Sequence, residues 1–378
     1  MTRLGRRLTR WWTPLRLLGV ALLALAFLIG ALGYFNQRGL LNLQDTPRRM
    51  LADFYASASV ELVGIAIIIL IVEALFQRRE TDHEKGQLIL QLASSDNASA
   101  LEAARILRRR GWLRNGSVNK ANLCAANLRD ANLQWASLRE ANLREANLQG
   151  ANLSYADLQD ANLTGAKLQG ANLKDADLQD ANMMRADLRD ANLTDANLQG
   201  STPYEANLEG VNLKYANLQG AGLTGVNLQS SSLYEVNLQG ANLKYANLQD
   251  VNLMRANLQG ANLADTDLQD ANLRYANLQE AQLKDSDLQD ANLKYANLQH
   301  SELVGVNLRG ANLLAANLHE ADLEQADLRG TLLRAANLEG ANLKDSKCDD
   351  ATIWPVGFMP PLEDMDWVVE MGQDDLAE

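Results

Sequence analysis

Residues able to do chemistry are few and scattered in this chain. His300, His319 and Glu320 are metal-ligand types, but two offset imidazoles without a third clear ligand make a poor metal site, and no metal or cofactor is expected. Cys124 and Cys348 read as free thiols. No glycine-rich phosphate loop, no nucleophile with a base at an interpretable spacing and no Cys-His cluster is present, so an enzyme is not expected. A different chemistry is suggested by cations placed directly before aromatics, as in Lys214–Tyr215, Arg274–Tyr275 and Lys294–Tyr295, together with Trp135 and Tyr155. Rings beside cations can stack on nucleic-acid bases or anchor a protein interface. Glu61 and Glu73 lie inside a long apolar stretch, where an ionisable side chain is a functional candidate by default.

The elements that must carry these residues follow from one repeat. From Ala121 to Asp350 the chain divides into 46 blocks of five without an insertion or deletion. The third residue is leucine except at Met183, Pro203 and Cys348. The first is Ala, Val, Ser or Thr, and the second is mostly Asn or Asp. Leucines five apart on an α-helix would advance by about 140° each and form no single stripe. On a flat strand an odd spacing would send successive leucines to opposite faces. A chain that turns once per block satisfies the pattern, because the leucine and the small residue two before it then both point to a common axis.

The tandem A(N/D)LXX motif resembles the pentapeptide-repeat proteins over about 60% of the chain. The resemblance implies a right-handed quadrilateral β-helix with four blocks per coil, an all-β solenoid. At about 4.8 Å per coil its length would be about 55 Å. Such repeats bury their core only against neighbours, so both ends need caps.

Charge is divided along the chain. The total is −12, of which residues 1–79 contribute +6, 80–120 +2, the repeats −13 and the tail from Ala351 −7. Five arginines (Arg3, Arg6, Arg7, Arg10 and Arg16) precede an uncharged run at about 17–35, and a second apolar run at about 56–76 is followed by Arg78 and Arg79. The runs are long enough to cross hydrocarbon and read as a two-helix transmembrane hairpin, a membrane anchor over 1–79 in contact with the lipid bilayer. A cleavable signal peptide fits less well, because the first run is long and no convincing cleavage site follows. Cation placement favours both termini, and hence the repeats, on the cytoplasmic side of the cell membrane. Glu61 and Glu73 sit near the ends of the second run, as interfacial carboxylates would; a proton or ion site, or a polar contact between helices, is the alternative.

Residues 80–117 read as a short α-helical linker and N-terminal cap: two apolar stripes separated by the SSDN segment at 94–97, with Gly111 as a stop and Trp112 and Leu113 plugging the first coil. The repeats then occupy 118–353, and 354–378 form a C-terminal cap with an acidic tail in which Trp354, Phe358, Met359, Trp367 and Val368 cover the last coil. Exposed apolar ends of that cap would also allow a dimer.

Sorting the blocks by twenty predicts which residues stack. Gln159, Gln179 and every twentieth residue to Gln299 share one side, and Gln229, Gln249, Gln269 and Gln289 share the opposite one, which suggests amide ladders. Trp135, Tyr155, Tyr215, Tyr275 and Tyr295 gather on a third side, where ring stacking along the coil axis is the first expectation and a protein-binding stripe the second. Pro203 takes a leucine position and removes a backbone donor, so a bulge or kink is expected there.

Taken together, the sequence suggests a non-enzymatic, membrane-anchored scaffold whose rigid solenoid binds an unidentified protein partner, with no nucleic acid expected on a domain of net −13. Two alternatives stand beside it. Some pentapeptide-repeat proteins resemble duplex DNA in shape and acidity and bind DNA gyrase, and a small channel or sensor could be built on the hairpin around Glu61 or Glu73.

Overall fold

A computed structural model describes residues 13–38, 48–361 and 363–368. The arginines before Thr13 and the acidic end after Val368 lie outside the described residues. The chain forms two compact units, 1–86 and 87–378.

In the first unit, α1 (Pro14–Gln37) packs against α2 (Arg48–Leu92). Both are long and apolar enough to cross a membrane, by length and composition. Glycines set their close approach: a Cβ at Gly19 would lie 2.9 Å from the Leu70 side chain, and one at Gly33 would lie 2.8 Å from that of Tyr55. Small residues of this kind let helix backbones approach. The boundary placed at 79/80 is not a break, because α2 runs on to Leu92. No proline interrupts residues 77–92, and Gly86 alone does not end a helix.

In the second unit, α3 (Asn97–Arg110) is capped at both ends. The Asp96 carboxylate accepts from the Ser99 amide, and Gly111 takes φ 76° while its N–H reaches Arg108. Leu107, Leu113 and Val118 are fully buried and continue into the solenoid core. The Asn97 amide donates to the Asn127 and Arg129 carbonyls of the first coil.

The solenoid has four blocks per coil, because the bridges join residues twenty apart from Asn122↔Asn142 onward, all parallel, until the last, Leu332↔Ile353, takes in one extra residue. In most blocks the N–H groups are satisfied in one way. In Ala151–Tyr155 the Ala151 N–H closes a turn onto the Leu148 carbonyl at 3.0 Å, and Asn152 donates back to Ala131 at 2.9 Å. Leu153 and Tyr155 donate forward to Asn172 at 2.7 Å and Lys174 at 2.9 Å. The remaining donor, Ser154 N–H, is capped by the Asn152 side-chain oxygen at 3.1 Å. This explains the second-position Asn or Asp: its Oδ1 satisfies a donor that the ladder cannot reach. The fifth residue takes positive φ in every block from Lys120 to Asp345, whether or not it is glycine, as the third residue of a tight turn does in type II geometry.

Pro203 corrects an expectation. It points inward and is buried, and the neighbouring coils keep their register. Ala206 still donates to the Pro203 carbonyl at 3.0 Å, and Gly222 to Ser201 at 2.8 Å. Only the bridge between Thr202 and Gly222 is lost. The ring's φ near −65° suits the extended segment, so the coil forfeits one hydrogen bond rather than bulging.

At the far end, β1 (Lys347–Cys348) pairs in parallel with β2 (Asp366–Trp367). The closure differs from the expected one. Trp354 and Phe358 stack at 5.6 Å and pack against the core, and Met365 is buried, whereas Met359 and Trp367 are exposed. Cys124 and Cys348 are free thiols, and burial pushes the Cys348 thiol up.

Candidate interaction surface

Core residues occupy the first and third positions of each block, so chemistry can reach solvent only from the second, fourth and fifth. Four sides follow, with blocks beginning at Ala121, Ala126, Ala131 and Ala136 and repeating every twenty residues.

The third side brings together the aromatics singled out above. Trp135 and Tyr155 stack with centroids 4.1 Å apart and planes 6° from parallel, and Tyr275 and Tyr295 stack at 4.9 Å and 19°. Tyr215 meets the edge of Tyr234 at 5.6 Å. The five fifth-position rings remain 39–51% exposed, and their backbones sit at φ 58–63°. A bulky L-residue in this region costs about 1–2 kcal/mol that glycine would not. Lys294 lies 5.0 Å and Arg274 5.8 Å from the ring that follows it. Lys214 makes no such contact with Tyr215 among the described residues.

Charge on this side runs against the domain. Lys174, Lys214, Arg255, Arg274, Lys294 and Arg334 face three carboxylates, Asp175, Asp195 and Glu235, a net of +3 in a repeat region of −13. Arg255 donates to Glu235 and to the Tyr234 hydroxyl, both at 3.1 Å. Hydrogen bonds from Tyr234 and Arg255 hold the Glu235 carboxyl below its ordinary range. The other five cations have no carboxylate within salt-bridge distance among the described residues. Cations elsewhere are mostly paired, as in Arg185–Glu205 at 2.8 Å, Arg189–Asp187 at 2.7 Å and Lys120–Glu140 at 3.0 Å.

The fourth side is the opposite in kind. It carries eight carboxylates and one cation, Arg139, with the long glutamine row between them. That row is not a continuous ladder. Gln219–Gln239 and Gln239–Gln259 approach at 3.4 and 3.5 Å, while Gln159 turns to Asp177 and Gln279 to Glu280. On the opposite side Gln229 reaches Gln249 at 3.4 Å, but Gln249 and Gln269 donate to Asp267 and Asp287 at 2.6 and 2.7 Å. The continuous amide ladder is built instead from second-position asparagines, from Asn197 through Asn337 at 2.9–3.2 Å. Their conspicuous repetition in the sequence was the signal for it.

Two further groups were not sorted by sequence. Tyr245 lies on the first side with Lys244 4.6 Å from its ring, and the Lys-Tyr dipeptide could have revealed it. Tyr204 is on the same side, where it holds Glu205 together with Arg185.

In the helical unit the two glutamates part company. Glu73 is buried, and its Oε1 accepts from the Thr13 hydroxyl at 2.6 Å and the Gln77 amide at 2.8 Å, while Arg16 donates to Gln77 at 2.8 Å. It is a polar contact between the two ends of the hairpin. Glu61 is exposed on the hairpin surface.

A four-sided coil of pentapeptides with an Ala/Leu core and variable outer positions defines a solenoid repeat protein. The family model described as "Pentapeptide repeats" matches residues 113–352 in overlapping copies, and the chain belongs to that family, whose fold is the right-handed quadrilateral β-helix. Among solved structures, the chain is similar to HetL, a pentapeptide repeat protein involved in heterocyst differentiation regulation in the cyanobacterium Nostoc sp. strain PCC 7120. The two are 34% identical over 57% of this chain and 92% of that one, with a TM-score of 0.47. A pentapeptide repeat protein of the Arabidopsis thaliana thylakoid lumen is 22% identical over 28% of this chain and 70% of that one, with a TM-score of 0.25. QnrB1, a plasmid-mediated fluoroquinolone resistance protein, is 18% identical over 50% of this chain and 86% of that one, with a TM-score of 0.31. No curated protein matches the chain.

Proposed function

We propose that the protein is a non-enzymatic, membrane-anchored scaffold whose third side docks a protein partner. The observation that carries this reading is the concentration of half-exposed rings and unpaired cations on that side. Tyr and Arg anchor interfaces because they bury large areas and still hydrogen-bond at their tips. Five rings are held at a φ that glycine would take more cheaply, and although four of them stack in pairs along the coil axis, all five keep exposed area for a partner. The two apolar helices serve as the anchor, with both ends of the hairpin, and therefore the repeats, in the cytoplasm.

Proximity labelling from a tag after Glu378 in intact cells tests the docking. A defined set of partners should be labelled, and Tyr275→Ala/Tyr295→Ala should remove it. An unchanged set would overturn the reading. For topology, a C-terminal reporter that folds only outside the cytoplasm should stay silent, and activity would reverse the orientation.

A second reading, mimicry of duplex DNA toward gyrase, draws on the eight carboxylates of the fourth side. Its weakness is the net positive third side and the neutral Gln-Gly stretch from 199 to 260. Supercoiling by gyrase that is unaffected by a stoichiometric excess of the detergent-solubilised protein would exclude it.

A further inference from the structure

We propose that His300, His319 and Glu320 form a binding site on the fourth side for a transition-metal dication of the zinc class. The sequence offered two imidazoles and no evident third ligand. The coil supplies one, because the twenty-residue register sets Glu320 directly after His300 in its column. His300 Nδ1 lies 3.0 Å from a Glu320 carboxylate oxygen, and one ligand atom from each of the three residues lies within 4.8 Å of the others. The rings meet edge-on at 5.9 Å and 83°, so they do not stack over one another's nitrogens.

A second observation points the same way. His319 Nδ1 is buried and has no hydrogen-bond partner among the described residues. A buried polar nitrogen left unpaired is costly, and native structures rarely leave one without a reason. An ion held between the two rings and the carboxylate would give it a partner.

The ligand chemistry suits this class. Two imidazole nitrogens and one carboxylate oxygen are a common zinc donor set, with bonds of about 2.0–2.2 Å. Those bonds require ligand atoms about 3.3 Å apart in a tetrahedron, so the most distant pair must close by about 1.5 Å. Half-exposed side chains at a corner of the coil can do this by small rotamer changes, without moving the backbone. A fourth position stays open for water or for Glu339, which occupies the place of His319 one coil further on. Gln299 lies 3.1 Å from His300 Nε2. Its amide can present either its nitrogen or its oxygen there, and an outer-shell partner on the second ring nitrogen is usual for metal-bound histidine. Binding through His300 Nδ1 requires the tautomer with its proton on Nε2, where the Gln299 amide oxygen can accept it, so the contact with Glu320 gives way to the ion without a net loss of a proton. The surrounding side, with eight carboxylates against one cation, raises the local cation concentration. Because His300 belongs to one coil and His319 and Glu320 to the next, the bound ion would tie the two coils together.

The test uses the full-length protein in detergent, titrated with Zn²⁺ by calorimetry and with Co²⁺ by visible absorption. One equivalent should bind with a micromolar Kd and give a Co²⁺ spectrum of low coordination number. His300→Gly restores the Gln-Gly ending that this side's own blocks use at 199–200, 219–220, 239–240 and 259–260, and His319→Gln the Gln-Glu ending at 279–280, so neither should disturb the coil. Each should weaken binding at least tenfold, and Glu320→Gln should weaken it severalfold. Hydrogen exchange should slow across residues 281–320 on Zn²⁺ addition in the wild type alone. Absence of binding at 1 mM Zn²⁺, or binding retained in the His300→Gly/His319→Gln double variant, would overturn the proposal; the second result would assign the ion to His83 or the cysteines.

Discussion

The third and fourth sides of the solenoid share one backbone, one core and one pattern of hydrogen bonds, yet they present opposite surfaces. The fourth is built from Gln-Gly and Gln-Asp endings, net negative, with its turns relaxed by glycine at 200, 220, 240 and 260. The third carries rings where glycine would be easier, and cations that, apart from Arg255, have no carboxylate within salt-bridge distance among the described residues. The difference teaches that the repeat separates its duties by position. Positions one to three, with the Asn cap, make the coil, and positions four and five are free to differ from side to side. What differs between two sides of the same coil is therefore the place to look for function.

The largest expected effect separates the sides by binding. Tyr275→Ala/Lys294→Ala should reduce capture of the third-side partner at least tenfold, in keeping with about 2 kcal/mol for a buried interface anchor. Gln239→Ala/Gln259→Ala on the fourth side should change it less than twofold. Equal losses from both pairs, measured by quantitative labelling, would erase the distinction.

Stability should sort by position rather than by side. Asn237 Oδ1 accepts from the Gln239 N–H at 3.2 Å and from Asn257 at 3.2 Å, while its amide donates to Asn217 at 2.9 Å. Asn237→Ala should therefore cost about 1–2 kcal/mol in denaturant unfolding. Gln239→Ala, whose amide contacts are 3.4 and 3.5 Å long, should cost under about 0.5 kcal/mol. If the glutamine change proves the more damaging, the ladder has been assigned to the wrong amides.

Tyr215→Gly sharpens the comparison from the other direction. It relieves φ 62° at the expense of one edge contact, so stability should hold or rise by under about 1 kcal/mol, while partner capture falls. A clear drop in melting temperature would mean that the ring serves the coil.

The smallest effect concerns acid. On the second side, burial pushes the Asp327 carboxyl up, but hydrogen bonds from Arg329 at 2.8 and 2.5 Å outweigh it and hold it below the ordinary range. A depressed folded-state value stabilises the protein above the unfolded carboxylate value, near 4, and that contribution disappears as pH falls through the folded value. Asp327→Asn should flatten the loss of stability below about pH 4 by no more than about 1 kcal/mol. An acid-unfolding curve of unchanged shape would show that the pair contributes nothing.

Much of this was legible in the residues. Five-residue phase is a local signal, and the leucines, small first residues and twenty-residue sorting point to the core, the sides and the aromatic column. The asparagine role was missed although its repetition was in plain view, because one side chain caps a donor two residues on and also bonds a coil away. Pro203 looked disruptive because a proline is judged by the donor it lacks. The coil has so many other bonds that one loss leaves its register intact. The place of Glu73 near the end of an apolar run allowed a polar contact but not its partner, and only the packing of the two helices supplied Thr13.

By itself the sequence determined the repeat, the all-β solenoid, the apolar helices and the residues available to each side, because these depend on periodicity and on hydrophobic length, which are properties of neighbours along the chain. Tertiary structure alone decided which cations lack a partner, which amides form the ladder, and that His300, His319 and Glu320 converge. Those outcomes depend on distances of 3 to 5 Å between residues about twenty apart, and such distances are fixed only when one coil is laid on the next.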